Sequence, residues 1–155
     1  MHEYEKEMPL ALEFLLSQVS HGGCVADIGC FGWLLSEPCG KRGLKLVGID
    51  RSEPPGKGPG DFFAKMDGSK LFMEDSSCDL VVASHVVEHL EDPVGLADEC
   101  FRILKPGGLL VVEAPSELSC LGISSDNPED HAFNSFWDDP THLRPHTPGS
   151  LLCIG

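Results

Sequence analysis

Apolar residues along the chain gather into five short, nearly continuous runs, separated by polar, glycine-rich or helix-patterned segments. The runs are CVADIG (24–29), KLVGID (45–50), FFAKM (62–66), DLVVASHV (79–86) and GLLVVEAP (108–115), FFAKM being the weakest. Continuous Val, Leu and Ile without polar alternation predicts strands buried on both faces, the mark of a parallel sheet. Ahead of them, Leu10, Phe14, Leu15 and Val19 recur at helical spacing and predict an amphipathic helix that His21-Gly22-Gly23 stops. Between the fourth and fifth runs, DPVGLADECFRILKPGG offers Asp92 as a cap, Pro93 at the first helical position and Pro-Gly-Gly as a stop. This alternation predicts a doubly wound α/β sandwich whose ligand lies beyond the carboxyl ends of the strands.

Two segments break the pattern. RSEPPGKGPGD (51–61) is a Pro/Gly-rich loop between the second and third strands, and residues 121–148 form a long loop rich in His, Asp and Pro. A long loop on the ligand side of such a sheet suits a lid or a substrate wall. In it, Phe133, Phe136 and Trp137 either cover an apolar substrate or anchor the loop itself.

Composition narrows the function classes. A length of 155 residues suits one domain spanning 1–155, and 41% hydrophobic with 23% charged residues is ordinary for a water-soluble protein. No apolar run approaches the roughly 20 residues that cross a bilayer, and the acidic N-terminal segment does not resemble an export signal. A net charge of −14 repels phosphate polymers and argues against a nucleic-acid partner. Seven cysteines, odd in number and never spaced as CxxC, predict reduced thiols in a cytoplasm rather than a disulfide framework or a zinc knuckle.

The candidate chemistry begins at CVADIGCFGW. The turn lacks GxGxxG, which counts against a nicotinamide dinucleotide and an oxidoreductase. Asp27 at the strand tip would repel a pyrophosphate but attract an ammonium and a sulfonium, which points to S-adenosylmethionine. Asp50 ends the second strand about 20 residues past Gly29, where a carboxylate can accept both ribose hydroxyls. Asp67, after the third strand, is placed to accept an adenine amine or simply to form an Asp-Gly turn.

CDLVVASHVVEHLEDP (78–93), FRILKPGGLLVVEAPS (101–116) and DPTHLRPHTPGSL (139–151), in that order, resemble the class I S-adenosylmethionine-dependent methyltransferases, from about Met8 onward. The resemblance implies a Rossmann-like, mostly parallel sheet, here without the last two strands of the family core. It places Asp27, Gly29, Cys30 and Gly32 along the methionine part of the cofactor, Asp50 and Arg51 at the ribose, and Asp67 with Gly68 at the adenine. Ser84 and His85 would border the reacting methyl group. The implied function is methyl transfer, chiefly to an oxygen of a small molecule or sugar, by a family that needs no fixed catalytic residue. Independently of the resemblance, His85 or His142 is a candidate general base because histidine titrates near neutral pH. Phe31 and Trp33 stand where the family loop usually carries glycines. They raise an alternative, an inactive binding or scaffold module whose cofactor pocket those rings fill.

HVVEH (85–89) formally fits the pattern of inverted zinc peptidases, but it straddles a strand end, where such a site needs a long helix. Some similar quinone-pathway and RNA methyltransferases hold a divalent ion through E-x-x-E-H, and the corresponding set here is His85, Glu88, His89 and His142. With His85 replacing the first Glu, such a site would suit a softer ion than magnesium. Most relatives with EHL use Glu and His only to fix the loop, so the cofactor expected is S-adenosylmethionine, with a metal only conditionally. His131, His142 and His146 are otherwise ordinary polar loop residues. The acceptor's identity and the oligomeric state are not encoded in these patterns.

Overall fold

The computed structural model describes residues 10–52, 62–66, 70–121 and 135–152. Asp67, Gly68, His131, Phe133, Cys153 and most of the Pro/Gly loop lie outside them.

Five parallel strands form one sheet: β1 (Cys24–Ile28), β2 (Lys45–Asp50), β3 (Phe62–Lys65), β4 (Cys78–Ser84) and β5 (Leu104–Glu113), in the order β3-β2-β1-β4-β5. The chain runs outward from β1 to β3, then returns to β4 on β1's other side. That reversal opens a crevice at the carboxyl ends of β1 and β4, the place where such sheets bind ligands.

Helices cover both faces. Leu16 of α1 (Leu10–Gln18) and Cys39 of α2 (Ser36–Arg42) pack with Val25, Leu46, Leu80 and Val82 on one face. On the other, Leu96, Cys100 and Ile103 of α3 (Pro93–Ile103) pack with Ala26, Ile28, Ile49, Val81 and Ala83. Central strands buried on both sides are thus mostly apolar, as the sequence pattern implies, with Asp27 the buried exception near the end of β1. A short fourth helix, α4, covers Pro148–Leu152.

Four local expectations need correction. The inward positions are Leu12 and Leu16 of α1 and Val19 just after it, while Phe14 is exposed, because LALEFLL is apolar almost all round and leaves its face undetermined. The edge strands β3 and β5 are only partly buried, since each lacks a neighbour on one side. β4 ends at Ser84, two residues before the apolar run does, because His85 turns away at φ +54°. Strand β5 begins at Leu104 rather than Gly108: Cys78 pairs with Leu104 and Leu80 with Leu109, so the intervening Lys105–Gly108 bulge out, with Gly107 at φ +83°.

The sequence signals for α3 are reproduced closely. Asp92 Oδ1 accepts the Gly95 N–H at 3.0 Å and Pro93 opens the helix. Near its end, Arg102 donates to Glu99, to Asp75 and to the carbonyls of Leu71 and Met73, all between 2.7 and 2.8 Å. This single guanidinium ties the segment before β4 to the helix.

Candidate active site

Gly29 follows β1 at φ +78°, and its N–H donates to Ile49 O at 2.7 Å. A Cβ there would collide with the Val86 side chain as well as strain the backbone, so the position needs glycine. The turn lies against the tips of both β2 and β4. Between them is a cavity of about 190 Å³ whose lining includes Gly29, Phe31, Asp50, Arg51, His85 and His89. A wider, open depression of about 1200 Å³ at the β3 edge shares Arg51 and Met66 with it. The smaller cavity lies at the strand ends and carries more of the residues expected from the sequence.

Asp27 is buried, 7% exposed, at the end of β1. Burial first, and the charge of Asp50 second, push its carboxyl up to about 7. Asp50 Oδ1 accepts the Ser52 N–H at 2.9 Å, which closes the turn after β2. The site therefore holds two acidic groups that a cation between them would relieve.

Cys30 and Gly32 do not line this cavity. A Cβ on Gly48 would come within 2.7 Å of both Cys30 Sγ and the Trp33 ring, so both side chains press against β2 from the α1–α2 side. Burial pushes the Cys30 thiol up to about 12, consistent with a small core hydrophobe. Trp33, at φ +50° and 6% exposed, stacks edge-on against Phe63 and belongs to the same core. Phe31 is 68% exposed at the cavity rim. The two rings expected to fill the pocket thus part company, one into the core and one to the edge.

At the tip of β4, Ser84 Oγ donates to Glu113 Oε2 at 2.8 Å and the His85 N–H donates to Glu113 O at 2.9 Å. His85 is held left-handed, at φ +54°, a strained conformation that concentrates at functional sites. Its Nδ1 lies 3.2 Å from Oε1 of the fully buried Glu88, a contact that raises the imidazole's pKa. HVVEH therefore spans a strained residue and a single 3-10 turn, Val87–His89, in place of the helix a zinc peptidase needs.

The long loop returns to this turn. Leu143 N–H donates to Glu88 O at 2.8 Å, and Phe136 is buried against the His142 ring with centroids 4.4 Å apart, so Phe136 anchors the loop while Trp137 stays exposed. His142 Nδ1 lies 2.7 Å from Phe136 O, and His89 Nδ1 lies 2.9 Å from Thr141 Oγ1, which itself donates to Asp139. Those partners take the Nδ1 protons and leave Nε2 of both rings as acceptors. Glu88 Oε2 is buried with no hydrogen-bond partner, and Glu88, His89 and His142 each offer a ligand atom within 4.8 Å of the others. The donor set fits a divalent ion, with Phe136 O and Thr141 orienting the imidazoles as outer-shell groups do. A bound ion would supply Lewis acidity beside the cavity. His146, by contrast, is buried at 5% exposure and is no ordinary surface residue of the loop.

Of the expected residues, Gly29, Asp50, Arg51 and His85 line the cavity, and Asp27 lies close enough to feel the Asp50 charge. Ser84 is turned towards Glu113, and His142 belongs to the Glu88 cluster. Val86, Thr141 and Glu113 escape sequence reasoning because their roles depend on contacts across the fold; only Thr141, two residues after Asp139, carries a local signal, the side-chain turn it forms.

The fold and this site define an S-adenosylmethionine-type crevice of the class I kind. A family model described as a methyltransferase domain matches residues 26–112. The ubiquinone biosynthesis O-methyltransferase of Hahella chejuensis is 34% identical over 110 residues, covering 64% of this chain and 46% of the relative. That of Cereibacter sphaeroides is 31% identical over 118 residues, 70% of this chain and 45% of the relative. Among solved structures, a SAM-dependent methyltransferase from Archaeoglobus fulgidus superposes with a TM-score of 0.71 at 26% identity, over 98% of this chain and 69% of that one. The chain belongs to the class I S-adenosylmethionine-dependent methyltransferase family. It spans somewhat under half the length of the curated relatives it matches. No helix among the described residues is long and apolar enough to cross a membrane.

Proposed function

We propose that the protein binds S-adenosylmethionine in the cavity between β1, β2 and β4 and transfers its methyl group to an oxygen of a small molecule in the cytoplasm. The observation that carries this is the buried Asp27 beside Asp50: burying a second carboxyl next to a first is costly unless a cationic ligand arrives. Gly29 lets the ligand approach the backbone, and Asp50 with Arg51 suits the ribose end. Asp67 and Gly68 are assigned to the adenine on sequence grounds. Quinone precursors, in line with the relatives' names, and sugars are the acceptor classes proposed.

Transfer to oxygen is an in-line displacement at sulfur's methyl group, so alignment and removal of one proton are the protein's main tasks. With Nδ1–H directed at Glu88, His85 has Nε2 left to take the acceptor's hydroxyl proton. A divalent ion held by Glu88, His89 and His142 is a second reading, supported by the partnerless Glu88 Oε2. Calorimetric titration of the full-length protein with S-adenosylhomocysteine tests the cofactor assignment: micromolar binding is expected, and no heat at any concentration would overturn it.

A further inference from the structure

Cys24 and Cys78 are 54 positions apart in sequence, and nothing in their spacing marks them as a pair. The fold brings them together, because each opens one of two hydrogen-bonded neighbours, β1 and β4, and their Sγ atoms lie 3.8 Å apart. We infer that Cys24 and Cys78 form a reversible dithiol site, which a hydroperoxide oxidises to an intramolecular disulfide.

Three observations support it. The sulfurs need only close from 3.8 Å to the roughly 2.05 Å of a disulfide, a movement within reach of side-chain rotation. The two thiols differ in access: Cys78 is fully buried, whereas Cys24 is part-exposed and can meet a small oxidant. The surroundings also favour a thiolate at Cys24. Its pKa falls to about 7, first because of the hydrogen bond with the Cys78 thiol; burial and the Asp79 charge oppose that fall, and Lys105 and Lys45 add smaller attractions. Asp79 is itself engaged, accepting the Cys24 N–H at 2.8 Å and pairing with Lys105 at 2.7 Å. A thiol half-ionised near neutrality reacts on the order of ten times faster than one with the ordinary value near 8.5.

The chemistry balances. Cys24 thiolate attacks the peroxide O–O bond, taking one oxygen to become a sulfenic acid while the other leaves as alkoxide or hydroxide and collects a proton. Cys78 sulfur then displaces the sulfenic hydroxyl, which departs as water with the Cys78 proton, and the S–S bond forms. A dithiol reductant reverses the change. The site lies at the amino ends of the strands, roughly 15 Å at about 3.3 Å per residue from the cavity at their carboxyl ends, and is independent of the cofactor assignment.

The test treats the full-length protein with hydrogen peroxide, blocks remaining thiols with an alkylating agent and maps peptides by mass spectrometry. The expected result is one cross-linked Cys24–Cys78 peptide, lighter by two hydrogens, lost on reduction with dithiothreitol and absent in Cys24→Ser. The wild-type map stands on its own if the substituted protein folds poorly. Cys24 and Cys78 both still alkylated, a bond mapped to other cysteines, or Cys24 passing to sulfinic acid with Cys78 free would each overturn the inference.

Discussion

The carboxyl groups of Asp27 and Asp50 repel one another across the ends of β1 and β2, and that repulsion adds to burial in holding Asp27 up to about 7. Folded, Asp27 titrates near neutrality; unfolded, it returns to its ordinary 3.8. Between those values the folded chain keeps a proton that the unfolded chain has released, so ionisation progressively costs stability as pH rises through the window. Asp27→Asn removes that cost. Its unfolding free energy should exceed the wild type's at about pH 8 by a few kcal/mol, at about 1.4 kcal/mol per pH unit, with a correspondingly higher melting temperature, and match it at about pH 4. An unchanged or lower melting temperature at the higher pH would show that Asp27 is not strained by its neighbours.

The separation of Phe31 from Trp33 predicts opposite phenotypes. Trp33→Ala empties the space against Gly48 and Phe63 and should cost about 3–5 kcal/mol in urea unfolding. Phe31→Ala, at an exposed rim, should leave stability within about 0.5 kcal/mol yet weaken cofactor binding. Equal loss of stability in both would place both rings in the core.

Much of this fold was legible because burial on both sheet faces makes the middle of β1, β2 and β4 mostly apolar, leaving charged residues mainly near the strand ends, and because Asp92-Pro93 writes the start of α3 in local chemistry. The boundaries of β2 follow the run KLVGID without shift. What escaped is set by tertiary contact. Leu12 and Leu16 outrank Phe14 only because α2 and the sheet lie on that side, and Lys105–Gly108 look like a helix stop yet bulge within β5 because Leu104 already pairs with Cys78. At the site, charge at the strand ends pointed to Asp27 and Asp50, whereas the placing of Gly29 and His85 at the cofactor came only through the family resemblance. The inward turn of Cys30 was hidden, since its neighbour in space, Gly48, is distant in sequence.

Glu88, His89 and His142 predict a metal preference. Equilibrium dialysis should find about one zinc per chain and no comparable magnesium uptake, because two imidazole nitrogens and one carboxylate suit the softer ion. Glu88→Gln should abolish uptake, and Thr141→Val, which removes the hydroxyl bonded to both His89 and Asp139, should weaken it about 10–100-fold. Zinc content unaffected by Glu88→Gln would reduce the cluster to a brace for the loop through Leu143.

The most direct test of a buried acid awaiting a cationic donor is calorimetry with S-adenosylmethionine near pH 7, run on the full-length protein in two buffers of different ionisation enthalpy. Binding should release part of a proton as Asp27 ionises against the ligand, and Asp27→Asn should weaken it about 10–100-fold, as loss of a charge-assisted contact of about 1.5–3 kcal/mol implies. Buffer-independent heats together with full affinity in Asp27→Asn would contradict the account.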